Sequence, residues 1–314
     1  MAAPGPPARR RATAAASLAL GAALLAGWPA AFAAGKRVVV TGAGGQTGKL
    51  VVQKLVSTGR FDVRPLVHSE KSKAKLLSTL DGMLPDSKVI VGDITSKETI
   101  QKAFVGAVAV VVVTSAVPVL KTWSLIPFML AKLFRRKGRL RFSWKNNGKP
   151  EQVDWEGQKN QFDLCKEAGV KHVVLVGTMT GTDPEGFLNT MGDGDGDKIV
   201  MWKRKAEMYL IDICKDSDMD FTIVHAGGLS NDAGGVTRVA VGVDDKLRER
   251  TPRRLPRADL AEVCLQALDC QAARNVSFDV SGSDDGVTLE SDSLDSLLQS
   301  LGGASCDYSI NPPP

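Results

Sequence analysis

Arg37-Val38-Val39-Val40-Thr41-Gly42-Ala43-Gly44-Gly45-Gln46-Thr47-Gly48 decides the fold. Its first five residues form an apolar run of strand length, as expected of a strand buried on both faces. The glycines that follow permit a tight turn and let backbone N–H groups approach a pyrophosphate closely. Residues 48–57 then read as a helix, with Leu50, Val51 and Leu55 on one side, whose positive amino end faces the same turn. A glycine pattern alone is weak evidence, but strand before and helix after supply the confirming context. Gly42, Gly45, Gln46, Thr47 and Gly48 are therefore candidate cofactor-binding residues, and the competing reading is a glycine-rich connection without a ligand.

Outward from this turn the pattern alternates strand and helix. Strands are expected at 63–67, 89–91, 107–113, 172–176, 221–224 and 276–280, and helices at 71–80, 98–104, 153–168, 199–214 and 258–269. The count fits one α/β domain over residues 35–285, a doubly wound parallel sheet of Rossmann type. Small segments at 115–150 and 228–257 would cap its substrate side. Residues 286–314 form a C-terminal tail, and the chain from Ser281 is Ser/Asp/Gly-rich and reads as partly disordered.

The 314 residues are 43% hydrophobic, enough for one sizeable core. The formal net charge of +5 includes Arg9, Arg10 and Arg11, so the body is close to neutral and gives no case for nucleic-acid binding. No acidic residue precedes Asp62. Residues 1–34 combine a basic start, an Ala/Leu run and Ala31-Phe32-Ala33, the three parts of a targeting signal. Two addresses fit: an organelle transit peptide, or a twin-arginine type of export signal, which also leads to the thylakoid lumen. A retained membrane anchor is the lesser reading, because alanine contributes little to burial in lipid. Five cysteines, with no CxxC and no zinc spacing, read as reduced buried thiols.

The turn is T-G-x-x-G-x-x-G, and further motifs follow in order: Gly92-Asp93-Ile94, Thr114-Ser115-Ala116, Pro150-Glu151-Gln152-Val153-Asp154-Trp155, Trp202-Lys203-Arg204-Lys205-Ala206-Glu207, Ala226-Gly227-Gly228-Leu229 and Pro256-Arg257-Ala258-Asp259-Leu260-Ala261. Over about residues 36–285 the chain resembles the atypical, NmrA-like branch of the short-chain dehydrogenase/reductase superfamily, within a plant and algal, plastid-targeted NADP-binding group. That resemblance implies a chloroplast address, stromal or thylakoid-associated. It implies that Asp93 and Ile94 border adenine, and that Thr114, Ser115 and Ala116 run beneath the ribose and nicotinamide. Thr178 takes the place of the active-site serine. Lys205 takes the place of the lysine that holds the nicotinamide ribose.

Two departures bear on activity. The family tyrosine lies four residues before the lysine, where this chain has Met201, which has no proton to donate. Tyr209, four residues after Lys205, is a weak substitute and reads as a packed helix residue. The arginine that often pairs with the 2′-phosphate is replaced by His68, with Lys71 and Lys73 nearby to supply charge. No acidic residue ends strand two, as an NAD site would want, so NADP is favoured over NAD.

Asp193-Gly194-Asp195-Gly196-Asp197 lacks the glycine and glutamate of a calcium loop and reads as a solvated acidic loop; no metal site is expected. Asn275-Val276-Ser277 opens an expected core strand and does not read as a glycosylation site. Residues 119–150 combine Trp123, Leu125, Ile126, Phe128, Met129, Leu130, Leu133 and Phe134 with Lys132, Arg135, Arg136, Lys137, Arg139, Arg141, Lys145 and Lys149, and no acid. This suits a lid over the substrate cleft, or docking on an anionic membrane surface or acidic protein. Two functions follow from the whole reading. One is an NADP-dependent oxidoreductase acting on a small substrate through Thr178 and Lys205. The other is a non-catalytic NADP(H)-binding redox sensor or assembly factor at a plastid membrane.

Overall fold

The computed structural model describes residues 35–136, 138–193, 196–249, 254–289 and 293–313. The targeting reading of 1–34, and the parts assigned to Lys137 and Asp195, lie outside the described residues.

Eight strands form one sheet. They are β1 (Lys36–Thr41), β2 (Phe61–Val67), β3 (Ile90–Val91), β4 (Ala107–Val112), β7 (His172–Thr178), β8 (Asp220–Ala226), β10 (Val239–Gly242) and β12 (Val276–Gly282). Their order is β10-β12-β8-β7-β4-β1-β2-β3, parallel throughout except for β10, which runs antiparallel to β12. Two short pairs lie outside this sheet. β5 (Pro118–Leu120) pairs with β6 (Phe142–Trp144), and β9 (Leu229–Ser230) with β11 (Leu255–Pro256).

The valine runs of the central strands serve two cores. Val38 and Val40 face one layer with Val51 and Leu55 of α1 (Gly48–Ser57) and Leu260 and Val263 of α7 (Arg257–Ala267). Val39 faces the other, with Ile100 and Phe104 of α3 (Lys97–Phe104), Phe162 of α5 (Gly157–Glu167) and Leu210 of α6 (Ile199–Lys215). This two-sided burial is why continuous β-branched runs, rather than alternating ones, mark these strands. The doubly wound α/β reading holds. The order reverses between β1 and β4, where Thr41 pairs with Leu66 on one side and Val112 on the other. A ligand crevice belongs at such a reversal.

The structure adds elements the sequence pattern does not announce. β10 is a short antiparallel edge strand inside a segment expected only to cap the site. The stretch after Ser281, partly disordered by composition, holds α8 (Ser293–Gln299), whose Leu294 and Leu298 are buried. Their i, i+4 spacing places both on one helix face. The helix expected at 153–168 begins earlier, as a π-helical turn at Glu151–Glu156 that leads into α5.

Candidate cofactor and active site

Glycine is required where the turn closes. Gly42 has φ +68°, and a Cβ there would lie 2.7 Å from the Val113 carbonyl oxygen. A Cβ on Gly48 would lie 2.2 Å from the Gly42 oxygen, and one on Gly45 3.1 Å from it. The Gly45 N–H donates to the Gly42 carbonyl at 2.9 Å, which tightens the loop. Thr47 precedes α1, and its carbonyl accepts from the N–H groups of Leu50 and Val51. Its own hydroxyl makes no cap, and Gln46 is exposed on the turn's rim. The result is a tight backbone cradle, glycine where the chain approaches itself most closely, at the amino end of a helix, which fits a dinucleotide pyrophosphate.

The second lobe lies at the ends of β2 and β3. His68 is exposed directly after β2, and Ser69 caps α2 (Glu70–Leu80) by accepting from the Ser72 N–H at 3.3 Å. Gly44 packs against Ser72, which brings the α2 amino end beside the glycine turn. Lys73 is held by Asp86 at 2.8 Å, whereas Lys71 is exposed. The Asp93 carboxylate is engaged with the amide and hydroxyl of Thr95 at 2.9 and 2.8 Å. Asp93 therefore shapes the turn that carries Ile94. Ile94 is fixed in turn by Asn160, which donates to its carbonyl at 3.0 Å, and by close packing on Gly157.

After β4 the backbone is gripped from α5. Gln158 donates to the Thr114 carbonyl at 3.1 Å and Gln161 to the Thr114 hydroxyl at 3.3 Å. The Ala116 N–H donates to Asp154 Oδ2 at 3.0 Å, while Ser115 is exposed beside it. Asp154 is fully buried, and its other oxygen lies 2.7 Å from Lys203 Nζ. Burial pushes the Asp154 carboxyl up, against the pull of the Lys203 ammonium.

Lys205, assigned by the resemblance to the nicotinamide ribose, is half-buried on α6. Its ammonium lies over the rings of Trp155 and Trp202, at 4.9 and 5.2 Å. The physical reason is helical phase. The buried residues of α6 are Ile199, Val200, Lys203, Arg204, Ala206, Glu207, Leu210 and Cys214, close to a 3.6-residue rhythm, and Lys205 is out of step. Four residues before Lys203 stands Ile199, buried with Ala116, Trp144, Met191 and Val200. Met201 lines a separate cavity of about 210 Å³ with Gly181, Asn189, Arg204 and Pro313. Neither register puts a proton donor four residues before the lysine. Tyr209 donates to Asp163 at 2.5 Å and packs edge-on against Trp155, so it sits between α5 and α6.

Thr178 ends β7 opposite Ala226, half-buried. Beneath it, Gly177 leaves room for Glu207 and His225, since a Cβ there would lie 2.4 Å from Glu207 Oε1. His225 is clamped between Glu207 at 3.2 Å and Asp279 at 3.3 Å, with Cys306 and Tyr308 completing the shell. Burial disfavours the charged ring, but the Glu207 carboxylate outweighs it and holds the His225 pKa well above 6.5. All five cysteines are free and buried. Of the acidic loop, Asp197 accepts from the Trp144 indole at 2.6 Å and so ties the cap down. Sequence reading passed over Asp154, Lys203, Gln158 and Gln161, although all lie in or beside the quoted motifs.

A family described as NAD(P)H-binding matches residues 42–271. The chain is 40% identical over 260 residues to sanguinarine reductase of Eschscholzia californica, across 80% of this chain and 90% of that protein. It is 42% identical over 250 residues to an uncharacterized chloroplastic protein of Arabidopsis thaliana, across 79% and 70%. In three dimensions it is similar to an oxidoreductase of Lactococcus lactis, with a TM-score of 0.55 and 16% identity, over 85% of this chain and 97% of the other. At that identity the likeness is one of fold.

Proposed function

Because this chain belongs to the NAD(P)H-binding family of Rossmann proteins, we propose that it is an NADPH-dependent reductase of a small molecule in the chloroplast. The observation that carries this reading is the buried Lys203–Asp154 pair beside Ala116, in a fold whose glycine turn admits no Cβ at Gly42 or Gly48. The pair sets a buried ammonium beside the loop after β4, at the crevice where the strand order reverses.

The roles follow from position. Gly42, Gly45, Gln46, Thr47 and Gly48 cradle the diphosphate. His68 and Lys71 meet the 2′-phosphate at the α2 amino end, which makes NADP the preferred form. Asp93 and Ile94 border the adenine, and Thr114, Ser115 and Ala116 line the nicotinamide half. Bound NADPH supplies the hydride. Lys203 holds the ribose and places a positive charge beside the reacting ring, and the Thr178 hydroxyl orients the acceptor. Asp154 is a positioning residue, acting through Lys203 and the Ala116 amide.

Ile199 stands where an acid would, so the acceptor takes its proton from water or needs none. A cationic acceptor such as an iminium needs none, because hydride addition to it gives a neutral product, whereas a neutral electron-poor acceptor becomes an anion and draws its proton from water. The sanguinarine reductase and chloroplastic relatives support the reductase reading and the plastid address, stromal or thylakoid-associated. The test is NADPH oxidation with sanguinarine as the first acceptor, in wild type, Lys203→Met and Lys205→Met. Turnover lost only in Lys203→Met supports the assignment. Tight NADPH binding without oxidation by any acceptor supports the second reading, a redox-responsive cofactor binder.

A further inference from the structure

The cap segment carries a helix built inside out. α4 (Leu125–Leu133) joins β5 to β6, and none of its residues is buried. Ile126, Met129, Leu130, Leu133 and the following Phe134 recur at helical spacing and form one stripe. That stripe faces solvent, with each side chain between 50 and 74% exposed, and Trp123 beside it is 61% exposed. The opposite side, Phe128 and Ala131, packs on the returning chain at Gly138, where a Cβ would lie 2.9 Å from the Ala131 Cβ. The helix ends firmly. Arg135 is left-handed at φ 54°, and the Arg136 N–H reaches back to the Ala131 carbonyl at 2.7 Å.

Its rim is basic. Lys132, Arg135, Arg136, Arg141 and Lys145 are exposed, and Arg135, Arg136 and Lys145 form no ion pair among the described residues. No acidic side chain occurs from 99 to 150. A monomer rarely leaves a continuous apolar stripe of this kind uncovered.

We propose that α4 docks in the interface of an anionic lipid bilayer, its apolar stripe among the acyl chains and its cations at the headgroups. Nine helical residues span roughly 14 Å, too short to cross a bilayer, so the helix lies in the surface plane. No helix of the described residues is long and apolar enough to cross. The cations select a negatively charged surface, and the missing acids remove the repulsion that such a surface would exert. An acidic protein would match the cations but leaves five adjacent apolar side chains unexplained. Docking sets the β5–β6 hairpin against the lipid. Trp144 of β6 packs with Ala116, Ile199 and Val200, so the wall of the candidate site is held at the membrane. This inference stands apart from the reductase reading, because a binding assay needs no substrate.

The test is flotation of the full chain with vesicles of phosphatidylcholine, with and without phosphatidylglycerol. Three proteins are compared: wild type, Ile126→Glu/Leu133→Glu and Arg135→Gln/Arg136→Gln. All four positions are exposed, and unchanged NADPH affinity reports an intact fold. Wild type is expected to float with the anionic vesicles alone. The glutamate pair should abolish flotation, and the glutamine pair should weaken it about tenfold or more. Flotation retained in the glutamate pair overturns the proposal and places any lipid binding elsewhere in the chain. So does a wild type that ignores anionic vesicles. A doubled mass in light scattering that the glutamate pair halves, without flotation, also overturns it and makes the stripe a contact between two copies.

Discussion

Lys203 Nζ lies 2.7 Å from Asp154 Oδ1, and Asp154 Oδ2 accepts from the Ala116 N–H at 3.0 Å, so one buried carboxylate ties α6 to the loop that follows β4. Removing one partner of a buried pair leaves the other charge uncompensated, at a cost of roughly 3–5 kcal/mol. Lys203→Met should therefore lower Tm by on the order of 10 °C and cut kcat/KM about a hundredfold. The double variant Lys203→Met/Asp154→Asn should recover most of the Tm and none of the activity. Lys205→Met should change both little, since its ammonium lies over two tryptophan rings. Thermal melts beside steady-state kinetics check this, and equal loss in the two lysine variants would refute the assignment.

The contrast between those lysines shows how far the sequence was legible. Strand, turn and helix around Gly42–Gly48 could be read because each step is local: β-branched residues, then glycines, then an apolar helical face. The doubly wound class followed from the alternation of strand and helix, whereas the order of the strands is a property of the folded sheet. The motif match singled out Lys205 rather than the buried Lys203 because such a match fixes residue types and not helical phase. The buried rhythm Ile199, Val200, Lys203, Ala206, Glu207, Leu210 was in the sequence, and it separates Lys203 from Lys205. β10 could not be foreseen, since its stability rests on pairing with β12, far along the chain. Asp93 was read by its motif, while its carboxylate is spent locally on Thr95.

The glycine turn gives a graded prediction. Gly45→Ala places a Cβ 3.1 Å from the Gly42 carbonyl oxygen on an exposed part of the loop. The neighbour must yield by a few tenths of an ångström, so the protein should fold and lose NADPH affinity. Gly48→Ala, with 2.2 Å to the same oxygen, should fail to accumulate as folded protein. Circular dichroism with calorimetric titration separates the two outcomes. Normal NADPH binding in Gly45→Ala would show that the turn does not touch the cofactor.

Choice between NADPH and NADH should reside at the α2 amino end. Lys73 is occupied by Asp86, which leaves His68 and Lys71 to meet a 2′-phosphate. A charge-assisted hydrogen bond contributes about 1.5–3 kcal/mol, so Lys71→Gln should reduce the NADPH preference about tenfold or more and leave NADH affinity unchanged. His68→Ala should act in the same direction, since it removes a hydrogen-bond partner at the same helix end. Parallel falls in NADH affinity would instead mean that α2 itself has moved.

The Glu207–His225–Asp279 cluster predicts a pH profile. Burial opposes the Glu207 charge, yet His225 and Arg204 hold its pKa below the usual 4.5. Its stabilisation is present above that unfolded value and is lost as pH falls through the lowered folded one. His225 runs the other way, because its folded pKa is raised above 6.5. Its contribution is complete below the unfolded value and declines as pH rises through the folded one. Tm should thus be highest in mildly acidic solution and fall on the alkaline side. His225→Gln should lower Tm and flatten the alkaline fall. An unchanged alkaline slope in that variant would assign it to another group.

Arg204 predicts a separation between substrate and cofactor effects. It is buried, donates to the carbonyls of Asp307 and Ile310 at 2.7 and 2.8 Å, and lies over the Tyr308 ring at 4.6 Å. Asn311 continues the strap by donating to the Gly181 carbonyl at 3.2 Å, and Pro312 and Pro313 line one cavity with Met201 and Lys198. Arg204→Ala frees two carbonyls and the ring face, at about 1.5–3 kcal/mol. The strap should loosen and the cavity open beside the amino end of α6. KM for a bulky acceptor should change severalfold while the NADPH Kd stays fixed, because no glycine-turn residue touches the strap. Faster proteolysis after Ala304 would confirm the loosening. A changed NADPH Kd with an unchanged acceptor KM would show that this cavity is not on the substrate side.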